Sequence, residues 1–262
     1  NQGEIGARLD FYVKRKTGRE SSRPVWAQWK RGRTMIKVGA ITVGQSPRVD
    51  VTDDILPILG DDIQLIQAGA LDHMTPEQLR AIEPQQGDYV LVSRLKDGTS
   101  VRFAERHILP RLQEAIDTLT AQGVQMILML CTGEFPPQLQ AQVPLIYPCR
   151  LLDGLVPALA RRGKIGVVVP DISQKEQNIR RWDGIAKEVH VVAASPYADM
   201  EGIQSAAEKL RELDVDLLIL DCIGYTVKMK RIFHQATGKP VLLPRTVLAR
   251  VVRELAGEEE AL

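Results

Sequence analysis

Short unbroken runs of apolar residues alternate along this chain with stretches in which apolar residues recur every three or four positions, the rhythm of buried strands and amphipathic helices. Lys37 to Val43 reads as a strand, Gly44-Gln45-Ser46-Pro47 as a turn, and Val49 to Leu59 as a helix. Ile63 to Gln67 is a second strand, and Thr75-Pro76-Glu77 marks a helix start, with Thr as cap and Pro in the first turn. Asp88 to Ser93 passes through Lys96-Asp97-Gly98 into Ser100 to Phe103, the pattern of an antiparallel hairpin. A helix over Ala104 to Gln122 leads to Val124 to Leu130, a strand so uniformly apolar that both its faces need cover. A loop rich in Pro and Gln then reaches a short strand at Pro144 to Tyr147.

The second half repeats this order. Lys164 to Val169, Val189 to Ala193, Val215 to Leu220 and Pro240 to Leu243 read as strands, with helices over Ser173 to Lys187, Ile203 to Leu213 and Lys228 to Gln235 and a closing helix. The repetition extends to individual residues. KVGAITV from Lys37 matches KIGVVV from Lys164, and Val124 to Cys131 followed by Gly133 matches Val215 to Cys222 followed by Gly224. Pro144 to Pro148 matches Pro240 to Pro244. Alternating strands and helices predict the α/β class, here two pseudo-symmetric, doubly wound (flavodoxin-like) lobes with mainly parallel sheets facing across a cleft. The expected division gives residues 35–148 plus 245–262 to the first lobe and residues 149–244 to the second. The helix after Arg150 is expected to pack on the second lobe, and the helix after Thr246 to return to the first.

Composition is that of an ordinary globular chain: 262 residues, 44% hydrophobic and 26% charged. Charge divides the chain more sharply than its net +1 suggests. Residues 1–34 hold nine Lys/Arg against Glu4, Asp10 and Glu20, a balance of +6, which leaves −5 for the remainder. That basic stretch is read as an extension outside the fold, with Met35 as the natural start. Trp26 and Trp29 could stack on bases, but a mildly acidic body argues against a nucleic-acid partner, whose phosphates need clustered cations. No apolar run approaches the ~20 residues that cross a bilayer, so no membrane partner is expected. Three cysteines are too few for a disulfide framework, which favours a reducing, cytoplasmic setting.

Ligands of open α/β sheets bind at the carboxyl ends of the strands, and the cysteines fall there. Cys131 and Cys222 end equivalent central strands, each followed two residues later by a glycine that leaves backbone donors open. A thiol beside such donors has a lowered pKa, and its thiolate is reactive; the plain alternative is a small buried hydrophobe. Asp221, beside Cys222, points to the opposite face, because neighbouring strand residues alternate, and so does not oppose a thiolate there. Cys149 reads as a helix-start residue. Arg48 and Arg94 could grip an anionic substrate bidentately, exposed loop arginines being the alternative. No glycine-rich phosphate loop or nucleophile elbow is present. His73, His107, His190 and His234 stand too far apart for a metal pattern.

MIKVGAITVGQSPR from Met35, the strand ending in Cys131-Thr132-Gly133, LLILDCIGY around Cys222, and PVLLPRTVLARVV from Pro240 together resemble the AroM family. That family is in turn similar to the aspartate/glutamate racemase superfamily. The resemblance implies two facing lobes with one cysteine each, one thiolate removing the α-proton of a small carboxylate or amino acid and the other thiol returning a proton, with no cofactor. Isomerisation and decarboxylation are variants of this chemistry, and a two-lobed binding or regulatory protein without turnover is the alternative. Carried onto this chain, Cys131 and Cys222 become the catalytic thiols. Thr132, Gly133, Ile223 and Gly224 present amides to the substrate carboxylate, Tyr225 joins the substrate contacts, and Gly44, Gln45, Ser46 and Arg48 form the first-strand loop around it. The chain departs from the amino-acid racemases in having Cys-Thr-Gly-Glu and Cys-Ile-Gly-Tyr after the two strands. The partner implied is a small carboxylate-bearing molecule; a homo-oligomer stays open.

Overall fold

In the computed structural model, residues 35–160 and 162–257 are described. The basic stretch over residues 1–34, read from the sequence as an extension, lies outside them. Two four-stranded parallel sheets form the frame. In the first, β1 (Ile36–Thr42) lies between β2 (Ile63–Gly69) and β5 (Met126–Leu130), and β6 (Leu145–Ile146) follows β5. In the second, β7 (Lys164–Val169) lies between β8 (Glu188–Ala193) and β9 (Leu217–Leu220), and β10 (Val241–Leu242) follows β9. Both sheets therefore run second, first, third, fourth, the repeat expressed as topology. The hairpin β3 (Val90–Arg94) and β4 (Ser100–Ala104) belongs to the first half alone and is antiparallel.

Matching glycines show how closely the repeat holds. A Cβ at Gly39 on β1 would stand 3.0 Å from Leu119 of α3 (Leu109–Ala121). A Cβ at Gly166 on β7 would stand 2.9 Å from Leu210 of α6 (Met200–Arg211). Each central strand omits a side chain where a helix crosses it. The first core combines Ile41, Ile127 and Met129 with Leu112, Ile116 and Leu119 from α3. The second sheet has a core on each face: Leu218 and Leu220 pack with Ile203 and Leu210 of α6, and Val167 and Ile219 with Trp182 of α5 (Lys175–Trp182).

Two helices join the halves. α4 (Pro148–Ala160) follows the first sheet, yet its Leu152, Val156 and Ala160 are buried with Ile165, Val167 and Val169 of the second. α8 (Pro244–Ala256) follows the second sheet and packs against α1 (Val49–Leu59) and α4. Arg253 of α8 bonds the Leu59 carbonyl at 3.0 Å and the Asp62 carboxylate in the first half.

Helix ends differ from the sequence reading for local reasons. α3 starts at Leu109 after a 3-10 turn, Glu105–His107, rather than at Ala104, because Pro110 lacks an N–H and fits only a helix's first turn. α5 stops at Trp182 rather than running to Lys187, because Gly184 turns into the left-handed region at φ +73°. α2 (Pro76–Ala81) begins with the expected Thr75 cap, completed by Gln78 as a capping box. α7 (Val227–Thr237) completes the second half. Among the described residues no helix is long and apolar enough to cross a membrane.

Candidate active site

Cys131 directly follows β5, and Cys222 lies two residues past the end of β9. Both sulfurs accept a backbone N–H from the glycine two residues on, Gly133 at 3.4 Å and Gly224 at 3.3 Å. The two cysteines line one narrow, partly open cavity between the strand ends, together with Thr132, Gly133, Ile223, Tyr89, Gln174, Asn178 and Asp221. Its free volume is about 20 Å³, room for about one water.

Both glycines are places of close approach. A Cβ at Gly133 would stand 2.6 Å from the Leu91 side chain and 3.5 Å from the Cys131 sulfur. At Gly224 it would stand 2.5 Å from the Tyr197 hydroxyl, with the ring carbons almost as near. Tyr197 Oη in turn is 3.7 Å from the Cys222 sulfur and accepts from Arg48 Nη2 at 3.3 Å. Arg48 is 2% exposed, clamps Asp50 through two 2.8 Å bonds, and donates through Nη1 to Thr42 at 3.3 Å and Ser93 at 3.2 Å. Burial works against the charge of Arg48, but Asp50 and Tyr197 outweigh it and its pKa is raised. A permanent cation from the first half is thereby held behind Cys222 in the second.

The two sulfurs sit in opposing influences. Burial pushes the Cys131 thiol well up, against the single N–H of Gly133. Burial also pushes Cys222 up, against Gly224, the Tyr197 hydroxyl and the charge of Arg48. The lowering expected from the glycine amides is present in both, but desolvation exceeds it, so in this closed geometry both rest as neutral thiols.

Other expected site residues are bound into the scaffold. Gln45 bridges the Leu71 carbonyl and the Lys96 N–H, and Ser46 gives two bonds to Asp72. Arg94 closes the β3–β4 turn on the Gly98 carbonyl, Gly44 is pressed against Ser93, and Tyr225 bonds the Ala194 carbonyl at 2.6 Å. With Arg48 and Gly224, these residues lie outside the cavity lining. The bidentate partner of Arg48 is Asp50, which leaves that fork no free face for a substrate anion.

Asp221 corrects a sequence expectation. Strand alternation would turn it away from Cys222, but β9 ends at Leu220, and beyond the strand both residues line the cavity. Burial pushes its carboxyl up against the pull of Arg181, whose Nη1 is 3.5 Å away. Tyr89, Gln174, Asn178 and Tyr197 were not anticipated from the sequence. They come from loops and α5 without a motif, and only the adjacency of Asp221 to Cys222 offered a signal.

The AroM protein family matches this chain over residues 38–256. The chain belongs to the AroM family. No curated protein matches this AroM family chain. Its fold is shared with racemases and a decarboxylase of known structure. It is similar to an aspartate racemase from Picrophilus torridus, at 13% identity over 85% of this chain and 94% of that one, with a TM-score of 0.55. An unliganded arylmalonate decarboxylase is similar at 14% identity over 86% and 94%, TM-score 0.56. Allantoin racemase from Klebsiella pneumoniae is similar at 14% identity over 87% and 96%, TM-score 0.53. At such identities the likeness is one of fold.

Proposed function

We propose that this AroM family chain is a cofactor-independent enzyme that moves a proton at the carbon next to a substrate carboxylate, with Cys131 and Cys222 as the working thiols. The observation that carries this reading is that two cysteines at equivalent strand ends line a single cavity, each with a glycine N–H on its sulfur. The folds of two racemases and a decarboxylase support it.

Removing such a proton is hard because the resulting carbanion is unstable in water; a desolvated cleft with fixed N–H donors answers that need. In the proposed sequence the halves part to admit the substrate, since the narrow cavity has space for about one water. Opening solvates the thiols, and Cys222, with Arg48 and Tyr197 behind it, gives up its proton more readily. The Cys222 thiolate takes the substrate proton and becomes a thiol. The carbanion spreads into its carboxylate, held by the Thr132 and Ile223 peptides, and then takes the proton of the Cys131 thiol. Return from the other side would give the mirror-image product; loss of carbon dioxide in place of the first step would need one thiol alone. The glycine amides act on the sulfurs, so Gly133 and Gly224 stabilise the thiolates rather than the substrate.

A two-lobed binding protein without turnover is the second reading, favoured by the burial that keeps both thiols protonated. Deuterium incorporation from D2O into 2-amino, 2-ureido and 2-aryl carboxylic acids decides between them. Incorporation that disappears in Cys131→Ser or Cys222→Ser supports the enzyme. Incorporation no faster than in buffer for every class leaves the binding protein.

A further inference from the structure

We infer that the cavity opens on one side only: the seam between the β3–β4 hairpin and the start of α5 parts, with Arg102 and Asp171 as its latch, while the seam between Arg48 and Tyr197 stays shut. A ligand of this cavity needs such an opening whether it is turned over or merely held, so the inference stands apart from the proposed reaction.

Two seams join the halves where the strands end. In one, the connection after β1 meets the connection after β8, through Arg48 and Tyr197 at 3.3 Å. Arg245 adds bonds to the Asp50 carbonyl at 2.9 Å and the Asp54 carboxylate at 2.8 Å, and the Val227 N–H reaches Asp54 at 2.9 Å. Arg48 and Arg245 are 2% and 0% exposed. In the other seam, the connection after β7 meets the hairpin, which has no counterpart in the second half. Arg102 of β4 stands with Nε 3.1 Å from Asp171 and donates through Nη2 to Ser173 at 3.1 Å. Gln174 Nε2 donates to the Val90 carbonyl at 3.2 Å. Here the charges are wet: Arg102 is 49% exposed and Asp171 25%.

Both sides of the hairpin seam line the cavity, Tyr89, Leu91 and Val92 on one and Pro170, Gln174 and Asn178 on the other. Arg48, Tyr197, Asp54 and Arg245 lie outside that lining. Parting the hairpin seam returns Arg102 and Asp171 to water they already touch, and an exposed pair of this kind contributes little and is screened by salt. Parting the other seam would strand Arg245 and Asp54 as separated charges, one of them fully buried, which costs far more. With room for about one water, the cavity admits a ligand only when a wall moves, and the hairpin wall is the one most easily released.

Iodoacetamide labelling of Cys131 and Cys222 in the full-length protein, at one alkaline pH and resolved by mass spectrometry, reads this opening as access to the thiols. Neither Arg102 nor Asp171 lines the cavity, and Asp171→Asn keeps the cap oxygen that the Ser173 N–H uses. Labelling should be faster in about 0.5 M than in about 0.02 M potassium chloride. Arg102→Gln and Asp171→Asn should each raise the low-salt rate about two- to fivefold and remove most of its salt dependence. Combined, they should do no more than the larger single change, because both break one pair. Wild-type rates in both variants, or effects that multiply in the double variant, overturn the latch. Hydrogen exchange on the Arg102→Gln protein checks the side: peptides over residues 171–178 should exchange faster and those over residues 46–54 at the wild-type rate. Equal acceleration of both overturns a one-sided opening.

Discussion

The strand ends carrying Cys131 and Cys222 are equivalent in topology and unequal in surroundings. Each follows the third strand of its half, next to the central strand, and each sulfur accepts a glycine N–H at about the same distance. Beyond that the likeness stops. Cys222 has the Tyr197 hydroxyl beside it and the Arg48 cation behind that hydroxyl, whereas only the Gly133 N–H acts on Cys131 to favour its thiolate among the described residues. The same position also differs at the start of the following helix: α4 carries Cys149 there, and α8 carries Arg245, fully buried. Arg245 gives Nε and Nη2 to the Ile223 carbonyl at 2.9 and 2.6 Å and pairs with Asp54 at 2.8 Å, fastening the Cys222 loop to the first half. A duplicated scaffold thus supplies two similar thiols, and Tyr197 from the second half together with Arg48 from the first makes them different. That difference assigns the thiolate to one member of the pair before substrate arrives, where two identical coupled thiols would share the proton between them.

The two halves should differ most at the helix starts. Arg245→Met should cost about 2 to 4 kcal/mol in chemical denaturation, because it leaves the Ile223 carbonyl without a donor and takes the cation from Asp54, which keeps only the Val227 N–H at 2.9 Å. Cys149→Ala, at the matching position, should cost about 1 kcal/mol. Equal losses would mean that Arg245 is not the brace of the second loop.

A smaller contrast is expected at the glycines. Gly224→Ala drives a methyl into the Tyr197 hydroxyl and ring and should cost about 1 to 3 kcal/mol, with Tyr197 leaving Cys222. Gly133→Ala meets the end of the Leu91 side chain, which can swing aside, and its melting temperature should fall less. The reverse ranking would contradict the packing described here. Smaller again is Tyr197→Phe. It should raise the Cys222 pKa by up to about one unit and leave Cys131 in place, as read by thiolate absorbance in variants that keep one cleft cysteine.

Much of the frame was legible in the sequence, and for physical reasons. Buried parallel strands such as Met126–Leu130 must be apolar throughout, and the Gly39 and Gly166 pair records a close helix crossing that admits no side chain. The placement of Cys131 and Cys222 at strand ends followed from the same pattern. Less legible was what the polar loop residues do. Arg48 carries the charge of an anion-binding residue, and nothing local announces that Asp50, two residues on, occupies its fork. Gln174 and Asn178 reach the cavity, and Tyr197 reaches Cys222, only through tertiary folding, with no spacing to mark them. Asp221 was misplaced because strand alternation was carried through Cys222, two residues past the point where β9 ends.

The two thiols are unequal in surroundings, and Cys222, with Tyr197 and Arg48 near it, is expected to ionise more readily than Cys131. Because the thiolate is the form that alkylates, a raised pKa moves labelling to higher pH. A thiol that holds its proton more tightly folded than unfolded also favours the fold below the ordinary thiol pKa of about 8.5, an advantage lost as pH rises toward the folded value. Iodoacetamide labelling of the full-length protein, resolved by cysteine with mass spectrometry from neutral to alkaline pH, measures this directly. Both should label slowly at neutral pH, and Cys222 should label at distinctly lower pH than Cys131. Labelling of Cys131 first, or of both together at the ordinary thiol pKa, would contradict it.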